Sequence, residues 1–170
     1  MQNEREEKIR NKKRERYSCD VFFSSESNEW ATPQALFDEL DREFHFTLDP
    51  CCTHENAKCK RHFTNEEDGL KQNWGGESVF CNPPYGKGIH KWVEKAWRES
   101  TKPNTIVVML IPSRTDTRYF HDYILHRSEI RFVRNRLYFN DGDGRAPFPS
   151  MIVIFRSGGG RKEEEQISLC

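Results

Sequence analysis

The segment from Thr105 to Ile111 constrains the fold of this chain most strongly. It is continuously apolar and begins with β-branched residues, a pattern typical of a strand that is buried on both faces of a sheet. Such strands occur mainly where helices cover the sheet. The segment therefore predicts the centre of an α/β core, and 170 residues provide room for one such domain.

Further elements alternate around this strand. A helix is expected to begin at Thr32, a good N-cap, with Pro33 at its first helical position. Helical spacing recurs over 89–97 and 119–124, while alternating Phe44, Phe46 and Leu48 predict a strand that ends at Asp49-Pro50. Short strands are predicted at 78–81, 129–133, 137–139 and 151–155. This alternation favours a mixed, mostly parallel sheet with helices on both faces.

The two ends of the chain differ in composition from its centre. Residues 1–19 begin with an almost wholly charged or amide stretch, which predicts a solvated tail or helix. The stretch 157–170 opens with Ser and three Gly residues and predicts a flexible tail. The folded domain is therefore predicted to span 20–156.

Charge and cysteine content narrow the functional classes. Lys and Arg balance Asp and Glu at 27 each, so a nucleic-acid interface depends on where arginines cluster, and Arg114, Arg134 and Arg136 are the candidates. The absence of a long apolar run or signal-peptide pattern predicts a cytoplasmic protein with no membrane partner. Adjacent Cys51 and Cys52 fit zinc templates poorly, so we predict no metal and mostly reduced thiols.

The motif with the most specific chemistry is Asn82-Pro83-Pro84-Tyr85, which follows the apolar strand at 78–81. Two prolines remove backbone donors and fix the chain, so the acceptors in the loop are held rigidly. The Asn82 side-chain oxygen and the Pro83 carbonyl can then accept from one exocyclic amino group and orient its lone pair. Tyr85 is expected to offer a face on which a planar base stacks.

This motif resembles the catalytic motif of methyltransferases that modify adenine N6. Several other segments resemble, in order, the phage N-6-adenine methyltransferase (Dam-like) family over about residues 22–156. They are Phe22-Phe23-Ser24-Ser25, Trp30-Ala31-Thr32-Pro33, Leu48-Asp49-Pro50-Cys51, Glu67-Asp68-Gly69-Leu70, Ile111-Pro112-Ser113-Arg114-Thr115-Asp116 and Ala146-Pro147-Phe148-Pro149-Ser150-Met151.

The resemblance implies an abbreviated Rossmann-like methyltransferase that uses S-adenosyl-L-methionine and acts on a flipped adenine in double-stranded DNA. It implies that Thr32-Pro33 contacts the methionine end of the cofactor, Asp49 lies near the methionine and ribose, and Asp68 accepts from the cofactor adenine. It further implies a phage or prophage origin in a bacterial host. The remaining residues implied at the cofactor site are Phe23, Ser25, Trp30, Pro50, Cys51 and Asn82.

The chain departs from the usual methyltransferase pattern in its cofactor half, and this departure keeps further interpretations open. The glycine-rich turn after the first strand is missing, and only 18 residues lie between Asp49 and Asp68, so the cofactor half is abbreviated. The same chemistry also serves enzymes that methylate protein glutamine or RNA. The sequence is also compatible with a non-catalytic DNA-binding relative, or with a small zinc-stabilised module built on Cys51, Cys59, His54 and His62.

Overall fold

A computed structural model describes residues 30–139 and 145–157 of the chain. The predicted tail 1–19, the predicted tail 157–170 beyond its first residue, and Phe23 and Ser25 lie outside these residues. All the other residues predicted at the cofactor, catalytic and DNA sites lie within them.

The described residues form one six-stranded sheet in the order β2-β1-β3-β4-β6-β5. Neighbouring strands from β2 to β4 are parallel, β6 is antiparallel to β4, and β5 is antiparallel to β6. Five strands therefore point one way, which confirms the predicted mixed, mostly parallel α/β sheet. The strands are β1 Leu48–Asp49, β2 Arg61–His62, β3 Ser78–Cys81, β4 Ile106–Pro112, β5 Glu129–Phe132 and β6 Ser150–Arg156.

Strand β4 lies at the centre of the core, as its apolar sequence predicts. Its five residues from Val107 to Ile111 are fully buried, and most of β6 beside it is buried as well. Burial of each such aliphatic side chain contributes about 1.5–3 kcal/mol. This strand pair holds the rest of the sheet in place.

Within residues 30–139 and 145–157, two α-helices and a π-helical segment pack on the sheet. Helix α1 is Gln34–Phe44, α2 is Ile89–Ser100, and the π-helical segment is Phe120–Ile124. Phe37 of α1 meets Phe80 of β3 edge to face at 5.2 Å, while α2 packs against β4 and β6. The N-cap residue of α1 is Pro33 and not Thr32 as predicted, because the Thr32 hydroxyl accepts a hydrogen bond from the Asn82 side chain.

Three elements differ from the sequence prediction. Helix α1 continues to Phe44 and ends at His45, which is in the left-handed conformation. The alternation of Phe44 and Phe46 therefore reflects aromatic packing and not a strand. Only Leu48–Asp49 form a strand. The predicted strand at 137–139 is a single bridge between Tyr138 and Arg145. Strand β2 was not predicted, because two polar residues carry no apolar signal.

Candidate active site

The predicted functional residues follow strands that point in the same direction. Asp49 ends β1, Asn82 follows β3, Arg114 follows β4 and Arg134 follows β5. Since β5 is antiparallel to β6, and β6 to β4, all four strands have their carboxyl ends at one edge of the sheet. This is the edge where open α/β sheets bind ligands.

A cavity of 570 Å³ opens at this edge beside β1 and β3, which is the size of a typical small-molecule site. It brings together residues that are far apart in the sequence. Those predicted at the site that line it are Trp30, Thr32, Asp49, Pro50, Cys51, Asp68, Asn82, Pro83 and Pro84. Pro33, Tyr85 and the three arginines do not line it.

Asp49 lines the cavity at the carboxyl end of β1, which is its acidic end. Its side chain is buried, and its two oxygens accept the backbone N–H groups of Cys51 at 3.2 Å and Lys58 at 3.1 Å. Burial raises the pKa of Asp49, and the two backbone hydrogen bonds oppose that rise. A cation bound beside this carboxylate would stabilise its charged form.

The loop that carries Asp68 lies directly on the end of β1. A Cβ atom on Gly69 would come within 1.9 Å of the Pro50 carbonyl oxygen, so only glycine permits this approach. Trp74 is fully buried in the core, and its indole N–H donates to the Gly69 carbonyl at a distance of 2.9 Å. This packing holds Asp68 at the same cavity as Asp49.

Asp68 itself is in a more open environment than Asp49. Its side chain is 35% exposed and pairs with Lys71 at 2.9 Å. The hydrogen bond from Lys71 lowers the pKa of Asp68, and the backbone N–H of Leu70 adds to that effect. Asp68 therefore stays charged and accessible at the mouth of the site.

Asn82 lines the cavity where it follows the carboxyl end of β3, and it is held by three partners. Its side-chain nitrogen donates to the Trp30 carbonyl at 2.5 Å and to the Thr32 hydroxyl at 2.9 Å. Its side-chain oxygen accepts from the Tyr85 hydroxyl at 2.6 Å. Pro83 and Pro84 line the cavity beside it, so the predicted rigid loop is at the site.

Tyr85 lies behind this loop and not in the cavity, which differs from the expected stacking face. The residue is only 5% exposed, and burial raises the pKa of its hydroxyl well above the usual range. Its ring meets Phe148 edge to face at 5.4 Å and Phe139 at 6.2 Å. The ring therefore supports the loop from the protein interior in this structure.

The cavity also contains aromatic residues whose role the sequence did not reveal. Trp92 and Phe80 line it together with Trp30, whereas Trp74 does not line it and is fully buried. Trp74 and Trp92 are stacked with centroids 6.2 Å apart. The helical spacing of Trp92 assigns it to a core face, and its place in the cavity lining depends on how α2 packs against the sheet.

The segment 51–62, which follows Asp49, contains the cysteines and histidines of the alternative zinc interpretation. His54 and His62 are hydrogen bonded through ring nitrogens 2.9 Å apart. Burial raises the pKa of Cys59 to about 12 and that of Cys52 still further, so both thiols are protonated. Within 30–139 and 145–157, no three His, Cys, Asp or Glu side chains are grouped to hold a metal ion.

The arginines of the late strands fall into two groups. Arg131 and Arg156 form ion pairs with Glu43 and Glu129. Among the residues that the structure describes, no carboxylate forms an ion pair with Arg114, Arg134 or Arg136. The second group therefore keeps its positive charge at the carboxyl edge.

The sheet order and the placement of the cavity and of Asn82 define the class of protein, a small Rossmann-like methyltransferase fold. Comparison with known sequences gives the family. A model of the DNA N-6-adenine-methyltransferase (Dam) family matches residues 22–167, and the chain belongs to this family.

Two phage proteins named DNA N-6-adenine-methyltransferase are similar to this chain. That of Haemophilus phage HP1 is 30% identical over 139 residues, which cover 77% of this chain and 80% of the phage protein. That of Escherichia phage T1 is 30% identical over 131 residues, which cover 76% of this chain and 54% of the longer phage protein. Among the described residues, no helix is long and apolar enough to cross a membrane.

Proposed function

We propose that this protein transfers a methyl group from S-adenosyl-L-methionine to the N6 amino group of adenine in double-stranded DNA. The observation that carries the proposal is one cavity that is lined both by a buried carboxylate and by an asparagine whose side chain is fixed by hydrogen bonds. Membership of the Dam family supports adenine in DNA as the substrate. The phage relatives support a site of action in the cytoplasm of a bacterial host.

The residues that line the cavity fit the proposed cofactor. Four carboxylates face it, from Asp49, Glu55, Glu66 and Asp68, against one lysine, Lys58, whose ammonium donates to Gln34. This excess of negative charge suits a ligand with an ammonium and a sulfonium and disfavours one with phosphates. Trp30, Phe80 and Trp92 offer apolar surface for a purine ring. When bound, S-adenosylmethionine supplies an electrophilic methyl group.

Asn82 is the proposed catalytic residue. Its side-chain oxygen and the Pro83 carbonyl would accept the two hydrogens of the adenine amino group and direct its lone pair into the cavity. The reacting group belongs to the substrate, so the protein contributes position and orientation, not a covalent intermediate. The adenine has to leave the base stack to reach Asn82, which costs a few kcal/mol.

The three arginines that form no ion pair with a described carboxylate supply the proposed DNA contacts. Arg114 and Arg134 follow strands that end at the same edge as Asn82, and Arg134 and Arg136 are exposed. Phosphate contacts by such residues make affinity depend on salt. The protein would therefore bind DNA through a local basic surface despite its balanced net charge.

A substrate comparison tests the proposal. The full chain is incubated with methyl-labelled S-adenosylmethionine and, separately, duplex DNA, single-stranded DNA, RNA or mixed protein, and products are identified by nucleoside mass spectrometry. We expect N6-methyladenine in duplex DNA and none with Asn82→Ala. Label in RNA or in protein glutamine would replace DNA as the substrate, and DNA binding without transfer would indicate a non-catalytic relative.

A further inference from the structure

The hydrogen bonds that Asn82 makes with described residues leave one of its acceptor positions free. A side-chain amide has two donor hydrogens and an oxygen with two lone pairs. Both hydrogens are used, by the Trp30 carbonyl and the Thr32 hydroxyl, and the Tyr85 hydroxyl uses one lone pair. The remaining lone pair of the oxygen is the part of this amide that can accept from a substrate.

Trp30 fixes which way the amide is turned. A backbone carbonyl only accepts hydrogen bonds, so the atom of Asn82 that faces it has to be the nitrogen. Rotating the amide by half a turn would place two oxygens against each other. Thr32 lies beside the same nitrogen and is itself buried.

Tyr85 fixes the oxygen from the other side. Its single hydroxyl hydrogen has two acceptors within reach, the Asn82 oxygen at 2.6 Å and the Leu110 carbonyl at 3.2 Å. The nearer one forms the stronger bond. Phe139 and Phe148 pack against the ring, so the hydroxyl cannot move away without disturbing this aromatic cluster.

We propose that Thr32 and Tyr85 are positioning residues that act through Asn82, an inference that rests on the proposed function. Together with the Trp30 carbonyl, they hold the free lone pair of the Asn82 oxygen toward the cavity. A base then has to present an N–H donor to it, so an amino group is accepted and a keto oxygen is rejected. This role differs from the cofactor contact that the resemblance implies for Thr32, and it depends on the hydroxyl of Tyr85 and not on its ring face.

Single-turnover methylation of duplex DNA at saturating cofactor tests this inference. Thr32→Val and Tyr85→Phe should each lower the rate by roughly ten- to a hundredfold, because small misplacements of reacting groups have effects of that order. Cofactor affinity should stay within about twofold of wild type. Thr32→Ser, which keeps the hydroxyl, should retain most of the rate.

Two control variants report general effects of the same substitutions. Thr101→Val removes a hydroxyl that bonds to the Arg98 carbonyl at the end of α2, and Tyr123→Phe removes one from a ring that packs on Trp97. Neither residue lines the cavity, so both variants should retain the wild-type rate. Thermal unfolding of every preparation separates loss of fold from loss of rate.

A second test uses Asn82→Ala as the background. If Thr32 and Tyr85 act through Asn82, then Thr32→Val and Tyr85→Phe should add little to the loss that Asn82→Ala already causes. Full additivity would overturn the inference, as would Thr32→Val that weakens cofactor binding at an unchanged rate. A wild-type protein that methylates no adenine would overturn the proposed function as well. If the wild type is active and Thr32→Val and Tyr85→Phe are fully active too, this inference alone is overturned.

Discussion

The cavity is lined at the carboxyl ends of two neighbouring strands, β1 with Asp49 (the acidic end) and β3 with Asn82 (the transfer end), and these two ends are built in different ways. At the acidic end, Asp49 bonds to amides only two and nine residues further along the chain, and Gly69 packs on Pro50 close by. At the other end, Asn82 is held by Trp30 and Thr32 from about fifty residues earlier in the chain. The acidic end is therefore formed by segments that are close in the sequence. The arrangement around Asn82 forms only when segments far apart in the sequence have folded together.

This difference separates binding from transfer. Buried charge with backbone hydrogen bonds suits the capture of a cationic ligand, whereas an amide with one free acceptor suits the orientation of an amino group. Substitutions at the two ends should therefore change different measured quantities.

The largest expected effect is at the transfer end. Asn82→Ala removes the acceptor but leaves the two prolines and the acidic end unchanged. Methyl transfer in a single turnover should fall on the order of a hundredfold or more, because orientation of the reacting group is lost. A rate close to wild type in a folded preparation would assign this loop a structural role only.

The next largest effect is at the acidic end. Asp49→Ala leaves the amides of Cys51 and Lys58 without their acceptor and removes the buried charge. Loss of one such buried partner costs about 1–3 kcal/mol or more, which should appear in calorimetry as cofactor binding weakened by about ten- to a hundredfold or more. Asp68→Ala, at a more exposed residue, should weaken binding less. Equal losses would contradict the distinction between the two carboxylates.

A glycine substitution tests whether the acidic end depends on close packing of its two loops. Gly69→Ala would place a Cβ 1.9 Å from the Pro50 carbonyl, so the backbone has to shift at a cost of about 1–3 kcal/mol. Gly88→Ala is the matched control, since a Cβ there meets no atom within 4 Å. Denaturant unfolding should show a clear loss for the first variant and little change for the second; equal stabilities would mean that the two loops do not depend on this contact.

The smallest expected effects are on DNA binding. Arg134→Gln or Arg136→Gln should weaken binding to all DNA sequences and lower the salt dependence by about one unit of slope each. Arg156→Gln is the comparison variant, because Arg156 is already paired with Glu129 and Glu43, and its slope should remain unchanged. Wild-type slopes for Arg134→Gln and Arg136→Gln would remove them from the DNA path.

The sequence predicted the elements whose signals are local and strong. The apolar run before Asn82 and the central strand that became β4 are as expected, as is the placement of Asp49 and Asn82 at strand ends. The inward turn of Tyr85 was not predictable, because it depends on Phe139 and Phe148 from a distant segment. The Thr32 hydroxyl bond was hidden for the same reason, since local spacing suggested a helix cap.

The separation of binding from transfer is tested most directly by the cofactor affinity of Asn82→Ala, measured by calorimetry beside wild type and Asp49→Ala. The account predicts that Asn82→Ala binds S-adenosylmethionine within about twofold of wild type, whereas Asp49→Ala binds it far more weakly. If a folded Asn82→Ala protein loses as much cofactor affinity as Asp49→Ala, then Asn82 also serves cofactor binding. That result would contradict the separation of binding at Asp49 from transfer at Asn82.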